Sequence, residues 1–408
     1  MRNEKPTVES YLLGCYLLLS TMFSGQPSLI VIPYVPISLM FLYVVIKRIR
    51  LNQPVPIALK LYLGFGVWAF LSHLWIGPFE IKYGGFIFLI LTILITLLNS
   101  QLFKSKADLF NILFIYSLSV IPIILMNITD IQKSLALTYS TGGGRFYGTF
   151  GNANTAGLYG VSVIWAICYL IFQSDLTKLR KIFLATLLPF AFQLVLISGS
   201  RKAYVGICVL AIFLYYVSIK KFDKNIIFKV VSAAALGIGF FFVFQVFSNS
   251  VFYFRFEKLL SGDKESVEDR SQLMTKAIDV WEDHPLFGVG FDSFRYHNND
   301  EMPSHSSVTE TLVSTGIIGF LLYFSALVAI FILFYNANRR KSLIRDPVLK
   351  RDIQFYLVFL LLFIFFNTSA ILYNSREMWP ILGLLYVYVL RISIMAKNKR
   401  FSKLTLSK

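Results

Sequence analysis

Charge is scarce in this sequence. Only 15% of its 408 residues are Asp, Glu, Lys or Arg, where a soluble domain carries roughly 25%. Hydrophobic residues make up 56% and mean hydropathy is +0.65. Such a chain lacks the material to cover itself in water, which excludes a soluble enzyme. Cysteine is also nearly missing. Cys15, Cys168 and Cys208 all sit inside apolar runs, so they read as small core residues, with no disulfide framework or zinc site. HExxH, CxxC, P-loop and GxSxG motifs are absent, and no convincing carboxylate pair stands at metal-ligand spacing, so none of these signals points to a metal or a cofactor. No small-residue cleavage site follows the short, mixed-charge stretch Met1–Ser10, and Tyr11 onward reads as a retained first span.

What the sequence has instead is long uncharged apolar runs: Tyr83–Phe103, Leu109–Thr129, Val230–Phe254 and Ile353–Ser375. A bilayer core of about 30 Å needs roughly 20 apolar residues as helix. Lipid satisfies no backbone groups, and a β-barrel shows alternation in place of solid runs. The expected fold is therefore an all-α integral membrane protein, one polytopic domain over residues 1–408 with roughly twelve transmembrane helices. The expected spans are 11–24, 29–46, 57–76, 83–100, 108–127, 154–173, 182–197, 203–219, 227–248, 308–335, 354–373 and 378–395. Gly25-Gln26-Pro27-Ser28 alone separates the first pair.

Lys and Arg set the orientation. Both termini and the connections near 47–60, 104–108, 174–181, 220–229 and 339–352 hold most of the 39 basic residues, and the alternate connections are slightly acidic. Both termini are then cytoplasmic. The net charge of +17 is a topology signal, and the lipid bilayer is the expected partner, with no nucleic acid.

One connection is long. Residues 249–307 form an extracytoplasmic loop between spans nine and ten, and loops of such length are usually functional. Ser266 with Asp269 three residues on resembles a capping box. Met274, Ala277, Ile278 and Trp281 make an apolar stripe, and Pro285 stops the helix. An amphipathic helix tethered between spans is expected to lie on the membrane surface.

Several outward cations sit where elementary electrostatics disfavours them. Arg201 and Lys202 follow Ser198-Gly199-Ser200 on the outer face, at the start of span eight. A helix start repels cations by a few tenths to about 1 kcal/mol. An anionic ligand reverses that penalty, because free N–H groups at a helix start bind anions; the plainer reading is an arginine snorkelling to headgroups. Arg145 has a similar setting between Gly142-Gly143-Gly144 and the Gly/Asn stretch containing Asn152 and Asn154, which opens span six. Arg270 lies at the beginning of the loop helix, either functional or paired at the surface with Glu268 or Asp269. His305, just before span ten, suits a base near neutral pH, with Glu310 as a carboxylate to orient it; a lone histidine is as readily structural.

Four segments together carry a resemblance: RFYGTFGNANTAG (Arg145–Gly157), SGSRKA (Ser198–Ala203), DRSQLMTKAIDVWEDHPLFGVGFDSF (Asp269–Phe294) and SHSSVTETLVSTGIIGF (Ser304–Phe320). In this order and topology the sequence resembles the O-antigen ligase/polymerase superfamily of bacterial integral-membrane glycosyltransferases. The resemblance implies a GT-C-like helical bundle in the cytoplasmic (inner) membrane. It implies glycan transfer from an undecaprenyl-diphosphate-linked donor to a saccharide acceptor, without metal or nucleotide sugar. The family's essential arginines fall on Arg201 and Arg270 and its essential histidine on His305. Many members have His-Asn where this chain has His305-Ser306.

Catalysis under that resemblance needs a base for the acceptor hydroxyl, His305 with Glu310, and cations for the leaving diphosphate. Those are Arg201, Arg270 and, as substrate-binding groups, Arg145, Lys202, Asn152 and Asn154. The segments look more like polymerases of capsule, exopolysaccharide or O-antigen repeats, acting with a chain-length regulator, than like ligases to lipid A-core. A transporter or flippase of lipid-linked glycan is the reading of another class. The halves show no internal repeat, and intramembrane charges are sparse, both of which count against it.

Overall fold

The structure is a computed structural model that describes residues 5–23, 26–29, 31–49, 51, 53–76, 83–103, 105–132, 146–150, 152–172, 176–221, 265–340 and 347–405. Among these residues every regular element is helical. Seven helical segments are long and apolar enough to cross a membrane: Ile57–Leu74, Gly84–Leu102, Lys106–Met126, Ala153–Phe172, Lys178–Ser198, Ser307–Arg339 and Met378–Ala396. They coincide with seven of the expected spans. The first two expected spans are shorter helices, α1 (Val8–Met22) and α2 (Tyr34–Ile46). Those at 203–219 and 354–373 appear as helices Arg201–Lys221 and Pro347–Asn367, which are long but carry charge at their ends. The expected span 227–248 lies outside the described residues, as does the loop up to residue 264.

The chain divides into two compact units. The first comprises residues 1–13, 36–112 and 265–408. Its helices include α3 (Ile57–Leu71), α4 (Tyr83–Leu102) and the start of α5 (Lys106–Leu118). The second comprises 14–35 and 113–264. It contains α6 (Val120–Met126), α7 (Ala153–Phe172), α8 (Lys178–Ser198) and α9 (Arg201–Lys221). The first unit continues with α10 (Glu265–Asp283), α11 (Ser307–Arg339), α12 (Pro347–Asn367) and α13 (Met378–Thr405).

In the second unit α7 is the centre. It is apolar all round and buried along nearly its whole length, as expected for a helix enclosed by others. Gly157 and Gly160 let it approach α8 closely. A Cβ at Gly160 would meet Val195 Cγ2 at 2.5 Å, and one at Gly157 would meet Ser198 Oγ at 2.7 Å. Small residues at helix contacts permit such approach within a membrane.

In the first unit α11 packs on α3, α10, α12 and α13. The sequence predicts one uninterrupted span here, but the helix is broken at Gly316, whose φ is 64°. The break frees carbonyls, and each finds a donor: Val313 O accepts from Val289 N at 2.9 Å, Ser314 O from Gly290 N at 2.9 Å, and Thr315 O from Trp68 Nε1 at 2.8 Å. On the far side Ile317 N donates to Pro285 O at 2.9 Å. The segment Pro285–Gly290 thereby lies along the break, which is how irregular backbone is tolerated among spans.

The loop helix also departs from expectation. It begins at Glu265, so Ser266 is inside it and does not cap it. Part of its apolar stripe faces protein: Ala277 is buried with Val289, Phe294 and Val313, and Val280 and Trp281 pack against them. Met274, Ile278 and Trp281 keep part of their surface open.

Candidate functional site

The four sequence segments meet two by two. In the second unit, the Gly/Asn stretch meets the Ser-Gly-Ser-Arg turn. Phe146 N donates to Ile197 O at 3.0 Å, and a Cβ on Gly157 would touch Ser200 and Ala203. Gly199, at φ 60°, ends α8 in the left-handed conformation that glycine adopts without strain. After Ser200, α9 begins at Arg201 itself. The predicted position is therefore correct: a cation on the first residue of a helix whose opening N–H groups have no intrahelical partner. Arg201 is half-buried, and its Nε is buried with no hydrogen-bond partner among the described residues. Lys202 follows it in the same turn.

Asn152 has a local task. Its Oδ1 accepts from Asn154 N at 2.8 Å and its carbonyl from Ala156 N at 3.1 Å, which makes it the cap of α7. Asn127 holds the preceding turn, accepting from Thr149 N at 2.9 Å and donating to Ile123 O at 2.7 Å. Arg145 lies outside the described residues.

In the first unit, the loop helix segment meets the start of α11. Arg270 lies about one turn in from Glu265, because the helix starts earlier than predicted.

His305 stands immediately before Ser306, the residue that caps α11 by accepting from Val308 N at 3.2 Å. Its φ is 60°. Asp292 (φ 59°) and Glu301 (φ 49°) share that left-handed conformation, each at a cost of about 1–3 kcal/mol, and such strain concentrates at functional sites. The surroundings over-determine this backbone. Glu310 is 1% exposed. Its carboxylate accepts from Ser304 N at 2.7 Å and from Ser314 Oγ at 3.2 Å. Glu310 thus positions His305 through the backbone of the preceding residue. Further back, Asn298 donates to Phe294 O and Met302 O, both at 2.9 Å, and accepts from Asp300 N and Met302 N. Ser307 N and Oγ both donate to Ala370 O, which ties the start of α11 to the connection after α12.

Sequence reasoning missed the ion pair beside this loop. Arg295 Nη2 donates to Asp292 Oδ1, and Arg295 Nε donates to Asp292 O at 3.3 Å. Burial disfavours the Arg295 cation, but Asp292 more than offsets it and holds the guanidinium above its ordinary value, with Glu310 and Tyr373 adding to that field. The only signal in the sequence was opposite charge at a spacing of three between Gly290 and Asn298. Among the described residues no group of three or more His, Cys, Asp or Glu is arranged to hold a metal.

Residues 184–324 match the family model described as O-antigen ligase. The match takes in Arg201, Arg270, His305 and Glu310, and supports the O-antigen ligase/polymerase superfamily. The comparison with curated proteins found no match.

Proposed function

We propose, for a chain placed by its matched segment in the O-antigen ligase/polymerase superfamily, that it polymerises undecaprenyl-diphosphate-linked oligosaccharide repeats of a surface polysaccharide. The reaction takes place on the outer face of the cytoplasmic membrane, with both termini inside and a chain-length regulator as a partner. The observation that carries this reading is a histidine held in a strained conformation at a helix cap, with a buried carboxylate fixing the residue before it. That is the pre-organisation a general base needs.

The acceptor hydroxyl attacks the anomeric carbon of the donor and its proton passes to His305. The bond from that carbon to the diphosphate oxygen breaks, the electron pair stays with the diphosphate, and attack from the opposite side inverts the sugar. Negative charge grows on the leaving group, and cations placed in advance stabilise it without reorganisation. Arg201 and Arg270 are assigned that role, with Arg145 and Lys202 supporting donor binding. Arg201 is the better supported, since its buried Nε is without a protein acceptor among the described residues and a buried unpaired donor is costly. Asn152 and Asn154 shape the α7 start beside that turn. No step is assigned to a metal or cofactor.

Purified protein given lipid-linked repeats as donor and acceptor should lengthen glycan in EDTA. A strict requirement for a divalent metal overturns the chemistry. Arg201→Ala, Arg270→Ala and His305→Ala should each abolish product with normal membrane levels, and an active His305→Ala removes it as base. A second reading takes up the word ligase in the family's description: transfer of finished glycan to lipid A-core. Deletion in the host separates the two: a missing polymerase leaves single repeats on the acceptor, and a missing ligase leaves long chains on the lipid carrier. Glycan flipped across vesicles at unchanged length would point to a transporter.

A further inference from the structure

Among the described residues, one hydroxyl at the start of α11 is left over. Ser306 donates to Asn367 O at 3.4 Å and Ser307 to Ala370 O at 2.9 Å. Ser314 donates to Glu310 at 3.2 Å, while Thr311 and Thr315 bond the carbonyls of Ser307 and Thr311, both at 2.6 Å. Thr309 Oγ1 is enclosed and has no hydrogen-bond partner among the described residues. The cause is local. A threonine in a helix ordinarily bonds a carbonyl one turn back, and one turn before Thr309 stands His305, outside the helix with φ 60°. An enclosed hydroxyl without a partner is a cost that folding alone does not recover.

Thr309 shares the open side of this segment with His305. Ser306, Ser307, Glu310 and Thr311 are buried, whereas His305, Val308, Thr309 and Leu312 keep part of their surface open. Positions 305, 308, 309 and 312 follow the spacing of one helix face. A side chain at the position of Thr309, in the first turn after the Ser306 cap, reaches back toward that cap. The face carries no Lys, Arg, Asp or Glu; two apolar side chains flank the one hydroxyl. A diphosphate finds no cation there. A sugar ring, with an apolar C–H surface and hydroxyls that both donate and accept, matches it.

We propose that this face holds a saccharide ring of the acceptor: the Thr309 hydroxyl hydrogen-bonds one sugar hydroxyl, Val308 and Leu312 lie against the C–H surface, and a second sugar hydroxyl is thereby set at His305. The oxygen of Thr309 is covered while the residue is partly open. Threonine has two χ1 wells within reach in a helix, and exchange of its hydroxyl and methyl positions brings the oxygen to the open side. The hydrogen bond gained to the sugar then satisfies a group that the protein by itself leaves unpaired.

This inference rests on the reaction proposed above, and its test separates the two. Glycan transfer from the lipid-linked repeat to a repeat unit on a short alkyl chain is measured for the wild type, Thr309→Val and Thr309→Ser. Valine keeps the shape and removes the hydroxyl. In Thr309→Val, kcat/KM for the acceptor should fall about tenfold with donor KM unchanged, and Thr309→Ser should keep most of the wild-type value. Thermal unfolding in detergent should run the other way: the Tm of Thr309→Val should equal or exceed that of the wild type, because a methyl replaces an unpaired enclosed hydroxyl. Among acceptors that each lack one hydroxyl, one should be used equally well by the wild type and Thr309→Val, since the bond is already missing. A lowered Tm assigns the hydroxyl to the fold and overturns the inference. So does a change confined to donor KM, unaltered use of the acceptor, or a loss that persists with every deoxygenated acceptor. No transfer by the wild type, to this acceptor or to the lipid-linked repeat, overturns the proposed function itself.

Discussion

Glu310 Oε2 accepts a 2.7 Å hydrogen bond from Ser304 N, spanning the cap of α11 and fixing the residue that precedes His305. A buried carboxylate gripping backbone in this way has consequences for stability as well as activity. Glu310→Ala leaves Ser304 N–H and Ser314 Oγ without that acceptor in a buried place, at about 1–3 kcal/mol for each group. Thermal unfolding in detergent should show the loss, and Glu310→Gln, which retains an amide oxygen for Ser304, should lose less. Equal stability of the two variants would separate the carboxylate from the loop.

Gly316 is where α11 breaks, at φ 64°, and a Cβ there would stand 2.2 Å from Leu286 O. Backbone on both sides cannot yield cheaply. Gly316→Ala should therefore destabilise the protein by about 1–3 kcal/mol from crowding, with the left-handed φ adding to it. At Gly84, in α4, an added Cβ would meet nothing within 4 Å, so Gly84→Ala should be neutral or stabilising by up to about 1 kcal/mol. Melting curves of the two variants run side by side check this. A tolerated Gly316→Ala would mean the break is not held by that glycine.

The Lys106 ammonium donates to Asp352 at 2.7 Å, and Asp352 is completely enclosed. Lys106→Met strips the carboxylate of that partner and should cost about 3–5 kcal/mol. The double variant Lys106→Met/Asp352→Leu should recover most of the loss, because an apolar pair of similar volume often replaces a buried ion pair without penalty. A double variant as unstable as the single one would show that the two side chains are not coupled.

The orientation has a direct test. Glu301 and Lys47 are both exposed and lie on connections assigned to opposite faces. With Cys15, Cys168 and Cys208 replaced, a membrane-impermeant maleimide added to intact cells should label Glu301→Cys and not Lys47→Cys. Labelling of Lys47→Cys alone would invert the topology and move the reaction to the cytoplasmic side.

The sequence by itself determined the helical membrane class, the position of most spans, and the helix beginning at Arg201. These follow from local rules: uncharged runs of spanning length, a left-handed glycine after one helix, and a chain too apolar for water. It also placed His305 before a span and Glu310 one turn into it. What it did not contain is which donors the Glu310 carboxylate takes, because Ser304 N–H becomes a partner only when the backbone at His305 turns left-handed. The break at Gly316 was equally hidden, since STGIIGF reads as unbroken helix until Val289, Gly290 and Trp68 arrive from other segments to satisfy the freed carbonyls. The loop helix shows the same limit: its apolar stripe was legible, but whether lipid or α11 covers that stripe is a property of packing. The direct contact between Asp292 and Arg295 was likewise decided by the folded turn, where partial burial strengthens the attraction between the two charges.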